Sequence, residues 1–165
     1  MTDALRKEVA SAARTIVVKV GTRVITNDSG YLDNHRIARL AEQLNELVSG
    51  GRRVVLVSSG AVGAGMSELG LEARPTDLAR LQAVAAVGQA KLIEAYDRTF
   101  REHGRHAAQV LLTAQDLDDR AGYLNVRNTL FSLMEFNAIP IINENDTVAV
   151  DELMTTFGDN DRLAA

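Results

Sequence analysis

The sequence predicts an α/β domain built on a mainly parallel sheet. Short β-branched runs alternate with longer segments of helical period, the pattern that arises when strands are joined by crossover helices. Polar residues that do not match their apolar surroundings fall where those runs end, which is where open parallel sheets collect ligands. The 165 residues are enough for one compact unit, burying about two thirds of the surface that the unfolded chain exposes.

The elements follow in order. Residues 1–14 form a lead-in that is expected to be helical; it holds Asp3 and Glu8 and lacks an apolar core, so it does not read as a secretory signal. Thr15 to Val20 reads TIVVKV, a β-branched run broken by one lysine and followed by Gly21, which predicts a buried strand ending in a turn. From Asp33 the period becomes helical, with Ile37, Leu40, Ala41, Leu44, Leu47 and Val48 on one face and Gly50-Gly51 closing the helix. Val54 to Val57 predicts the second strand, and SSGAVGAG, Ser58 to Gly65, follows at its exit. Pro75 and Thr76 open a long helix through about His103, with Ala83, Val87, Ala90 and Ile93 at helical spacing. Ala107 to Leu112 reads as a strand, Arg120 to Phe136 as a helix, and Ile139 to Ile142 as a fourth strand. Gly158-Asp159-Asn160-Asp161 reads as a turn and cap that opens a last helix.

Composition narrows the function. With 46% hydrophobic and 24% charged residues, the chain matches an ordinary soluble globular protein, so neither disorder nor a fibrous architecture is expected. Its net charge is -4 and its basic residues are spread along the sequence, which argues against a nucleic-acid partner. The absence of cysteine excludes disulfides, thiolate metal sites and a cysteine nucleophile, and His35, His103 and His106 show no zinc-type spacing. No apolar run approaches the roughly 20 residues that would cross a bilayer. No membrane association is expected, and a cytoplasmic location is.

Three segments could carry chemistry. Lys19, inside an apolar strand, must find an anion or deprotonate, so its neighbours either neutralise it with a carboxylate or leave it for phosphate; the plainer alternative is a solvated lysine on an edge strand. SSGAVGAG offers backbone N–H groups at a helix start, suited to carboxylate or phosphate, though it would serve equally as a tight strand-to-helix turn. Its G-x-x-G-x-G spacing reverses the dinucleotide fingerprint and lacks the acidic partner, so a Rossmann cofactor site is disfavoured. From Asn143 to Asp161 there are six acidic residues and three asparagines. They are either a solvated acidic loop or the mixed donors and acceptors that an α-amino acid needs. The P-loop pattern, HExxH and a Ser-His-Asp order are absent, so any phosphotransfer needs another scaffold.

VVKVGT at Val17 to Thr22, VVLVSSGAVGAG at Val54 to Gly65 and LQAVAAVGQAKLIEAY at Leu81 to Tyr96 resemble the glutamate 5-kinases of the amino acid kinase family, as do the later segments QVLLT, YLNVRNTL, IPIINENDTVA and FGDNDRLAA. The first two motifs are shared loosely across the superfamily; INEND with GDND is far more specific. The resemblance implies a three-layer αβα, carbamate kinase-like fold. Residues 15–165 would be its N-terminal, glutamate-binding part, with the C-terminal part missing.

It also implies transfer of the ATP γ-phosphoryl group to the side-chain carboxylate of L-glutamate, the first step of proline biosynthesis. Lys19 would bind ATP phosphate and act in catalysis; Ser59, Gly60, Asp146 and Asn160, with Asp159 as a weaker candidate, would bind glutamate. Mg2+ would enter with ATP, held largely by its phosphates, with no protein metal ligands assigned. Proline as feedback inhibitor and a homo-oligomeric assembly in the complete protein are further implications. Relatives continue past GDND with segments that contact the nucleotide, so the expectation is an incomplete form, inactive alone. Two rivals stay open: a catalytically silent glutamate- or proline-binding module, and a nucleotide-binding regulator without amino-acid specificity.

Overall fold

The computed structural model describes residues 2–148 and 159–165. Its elements are α1 (Thr2–Ala12), β1 (Thr15–Val20), α2 (Thr22–Ile25), α3 (Asn34–Ser49), β2 (Arg53–Ser58), α4 (Ala61–Glu68), α5 (Leu78–Glu102), β3 (His106–Leu112), α6 (Ala114–Asp118), α7 (Arg120–Glu135), β4 (Ala138–Glu144) and α8 (Asp159–Ala164). The four strands form one sheet in the order β1-β2-β4-β3. Every pairing is parallel.

Strand side chains alternate between faces, and helices cover both. Val54, Leu56, Ile139 and Ile141 pack with Ile37, Ala41 and Leu44 of α3 and with Leu92, Tyr96 and Phe100 of α5. On the other face, Val55, Val57, Ile142 and Leu112 pack against Val126, Leu130 and Met134 of α7 and Leu163 of α8. This double cover explains why β2 and β4 read as unbroken apolar runs. The described chain therefore has the expected three layers.

Local chemistry sets the helix ends. Asp33 caps α3 by accepting from the His35 and Arg36 amides at 3.0 and 3.1 Å, and Asp77 caps α5 by accepting from Arg80 at 2.9 Å. The long helix thus begins at Leu78, and Pro75 and Thr76 belong to the approach. Ala83 and Ala90 are exposed, while Leu81, Ala85, Gly88, Leu92, Tyr96 and Thr99 are buried.

The contact between α4 and α5 positions the site. A Cβ on Gly88 would lie 1.7 Å from the Ala61 carbonyl oxygen, and one on Gly65 would lie 1.9 Å from that of Val84. The two helices meet backbone to backbone, which holds the start of α4 against the middle of α5.

Candidate functional site

β2 ends in Ser58, which is fully buried; its hydroxyl lies 2.9 Å from the Tyr96 hydroxyl and donates to the Ser59 carbonyl at 3.1 Å. Burial of Tyr96 pushes its phenol up to about 12, against a smaller opposing effect of the Ser58 hydrogen bond. Gly60 then turns the chain into α4 with φ +117°, and a Cβ there would come 2.9 Å from Ile25 Cδ1. The positive φ is what calls for glycine here; the Ile25 methyl could give way by a small side-chain shift.

This turn opens onto a cavity of about 330 Å³ at the carboxyl ends of the strands. Ser59, Gly60, Asn143, Asp146 and Asn160 line it, joined by Arg74. The structure thus brings together four of the residues singled out in the sequence: Ser59, Gly60, Asp146 and Asn160. Asn143 and Glu144 belong to β4 itself and do not follow it.

Asn160 ties the cavity together. It is 1% exposed, and its side-chain amide donates to Ser59 Oγ at 3.1 Å and to Asn143 Oδ1 at 2.9 Å. Beneath Asp146, Gln89 of α5 donates to the Asp146 carboxylate and the Glu144 carbonyl, each at 3.5 Å. Gln109 of β3 donates in turn to Gln89 Oε1 at 3.0 Å. The backbone N–H of Ser59 is taken by the Val20 carbonyl at 3.2 Å. The donors facing an anion there are accordingly the first-turn amides of α4, which have no acceptor within their own helix.

Lys19 stands apart from this lining. Its ammonium lies 2.7 Å from Asp161 Oδ1, with the lysine side chain 34% exposed and the aspartate 63%. Both sequence alternatives are realised in part, because β1 is an edge strand among the described residues and the lysine is paired with a carboxylate. Asp161 directly follows Asn160, so the pair borders the cavity through α8. Asp159 opens α8, but its side chain, like residues 149–158 of the acidic run, lies outside the described residues.

Sequence reasoning missed the loop that walls the cavity opposite. Asn27 Oδ1 accepts from the Ser29 and Tyr31 amides at 3.0 Å each, and the Asn27 amide donates to the Tyr31 carbonyl at 2.8 Å. This tight turn sets Ser29, Gly30 and Tyr31 in the lining. An Asn followed three residues later by Gly was the available turn signal.

Among the described residues, no helix is long and apolar enough to cross a membrane. The model of the amino acid kinase family matches residues 14–165. The glutamate 5-kinase of Rhodopirellula baltica is 59% identical over 162 residues, covering 98% of this chain and 42% of that protein. The glutamate 5-kinase of Nitrosospira multiformis is 52% identical over 159 residues, 96% of this chain and 42% of its own length, and that of Thioalkalivibrio sulfidiphilus is 54% identical over 153 residues, 93% and 40%. The chain spans well under half the length of these relatives. With a family match over nearly its whole length and a parallel sheet carrying polar residues at the strand ends, the chain belongs to the amino acid kinase family.

Proposed function

We propose that this chain is the glutamate-binding part of an ATP-dependent kinase that phosphorylates the side-chain carboxylate of L-glutamate. The observation that carries the reading is Asn160, which hydrogen-bonds Ser59 and Asn143 at the edge of a cavity also lined by Asp146. The relatives' names supply glutamate as the group phosphorylated.

In this reading the carboxylate of Asp146 takes the substrate ammonium. The hydroxyl of Ser59, the Asn160 amide and the α4 amides around Gly60 take the α-carboxylate; Asp159 would assist from the start of α8. A side-chain carboxylate oxygen then forms a bond to Pγ while the bond from Pγ to the β,γ-bridging oxygen breaks, so that L-glutamyl 5-phosphate and ADP leave. Lys19 would exchange part of its contact with Asp161 for the phosphate oxygens and stabilise their charge as it moves. The exposed Asp161 carboxylate is a hard oxygen donor suited to a magnesium ion arriving on ATP. When bound, that ion would neutralise charge on the β- and γ-phosphates. The product would enter proline synthesis, and proline, a smaller amino acid, would compete for the same polar groups.

Calorimetry with L-glutamate and a coupled ATP assay test the reading on a protein of the relatives' full length. Asp146→Asn and Asn160→Ala should each weaken glutamate at least about tenfold through loss of a charge-assisted or buried hydrogen bond. Lys19→Ala should spare glutamate binding and remove turnover. Unaltered glutamate affinity in both of the first two variants would end the proposal. Glutamate binding with no ATP binding in the unsubstituted protein would favour a silent amino-acid sensor.

A further inference from the structure

At the opposite end of the sheet the strands begin in a cluster of arginines. Arg52 and Arg53 stand at the entry to β2, Arg105 just before β3, and Arg127 on α7; all four line a second cavity, of about 500 Å³, with Phe131 and Glu135. Four guanidiniums face one carboxylate in a chain whose net charge is -4.

Two of the four are arranged around an aromatic ring. The Cζ atoms of Arg53 and Arg127 each lie 4.9 Å from the centroid of Phe131. A guanidinium that packs against a ring keeps its N–H groups available. Among the described residues, the guanidinium of neither Arg53 nor Arg127 donates to a protein acceptor or pairs with a carboxylate; the Arg53 backbone N–H goes to the Arg14 carbonyl at 2.8 Å. Arg105 is held in place by neutral partners: Asn45 Oδ1 at 2.8 Å, Ser49 Oγ at 3.4 Å, and Asn137 Oδ1. These bonds fix its position without cancelling its charge. Like charges gathered at one concave surface repel unless an anion sits among them, and the planar fork of arginine matches the oxygens of a phosphoryl group.

We propose that this cavity binds a small, multiply charged oxyanion of the phosphate or pyrophosphate type, gripped by Arg53 and Arg127 and supported by the field of Arg52 and Arg105. The volume leaves room for an organic group attached to the phosphoryl unit. The site is separate from the one lined by Ser59 and Asn160 and does not depend on the function assigned to that one.

Titration calorimetry of the full chain with inorganic pyrophosphate, at ionic strength held constant with sodium chloride, tests the proposal. Saturable binding is expected, weakened about tenfold by Arg127→Gln and less by Arg127→Lys, which keeps charge but loses the fork. Arg53→Gln carries the same expectation and stands in if Arg127→Gln fails to fold by circular dichroism. Binding that vanishes in Lys19→Ala but persists in the arginine variants would place the anion at the other end of the sheet and overturn the proposal. So would the absence of saturable binding at millimolar pyrophosphate.

Discussion

Asn160 Nδ2 lies 2.9 Å from Asn143 Oδ1, so the last helix is joined to the end of β4 by a hydrogen bond between two side chains that are each almost fully buried. Asn160→Ala removes this donor and leaves the Asn143 carbonyl without it. A stability loss of about 1–3 kcal/mol is expected, the usual cost of stranding a buried polar group. Urea denaturation measures it, and a variant as stable as the parent would show that the bond contributes little.

Tyr96 makes alkaline stability depend on one phenol. Its folded value, about 12, lies above the ordinary 10.0, so the native state keeps the proton longer than the unfolded chain does. The stabilisation is complete below about pH 10 and is lost as pH rises through about 12. The linked loss is on the order of 2–3 kcal/mol. Tyr96→Phe should flatten this part of the stability-against-pH curve, as read by urea denaturation at successive alkaline pH values.

Gly88→Ala should separate α4 from α5, since the new methyl group would meet the Ala61 carbonyl oxygen at 1.7 Å. Overpacking of this kind costs roughly 3 kcal/mol. Because Ala61 follows Gly60 directly, the variant should also lose ligand affinity beyond its loss of stability. Calorimetry at a temperature where the variant remains folded separates the two effects.

At the acid end, Asp97 is the group to follow. Partial burial alone would raise its carboxyl, yet the Ala107 amide at 3.0 Å and the Arg101 guanidinium, helped by His106, outweigh it and leave the value below the ordinary range. A depressed folded value means stability that is present above the unfolded carboxylate value and lost as pH falls through the folded one. Asp97→Asn should remove that acid-side dependence and loosen the start of β3, seen as faster amide exchange at Ala107.

The sheet was legible because its central strands are covered on both faces and so carry continuous apolar runs, as in VVLV and IPII. Helix α4 was half legible: SSGAVGAG read equally as a helix start and as a tight turn, because its glycines are poor helix formers and it is the packing on α5 that makes the helix worth forming. Which face of α5 turns inward was not legible, since small residues such as Ala83 and Ala90 tolerate either environment. At the site, the residues from strand ends and the acidic run could be picked out by their polarity. Arg74 and Tyr31 could not, because they reach the cavity from surface loops whose placement depends on tertiary contacts. Nor could the partnership of Lys19 with Asp161, which joins the first strand to the last helix.

The strand order also bears on synthesis at the ribosome. Among the described strands β4 inserts between β2 and β3, so the last of these four to be translated takes an inner place. Until residue 144 has emerged, β2 has, among the described strands, β1 alone beside it, and β3 has none of them as a neighbour. The hydrogen bond from Asn160 to Ser59 spans 101 residues and must wait longer still. Such late, long-range closure makes nascent chains slow to mature and dependent on holdase protection. A ribosome-stalled series ending on either side of β4 should show a sharp gain in protease resistance once that strand is available.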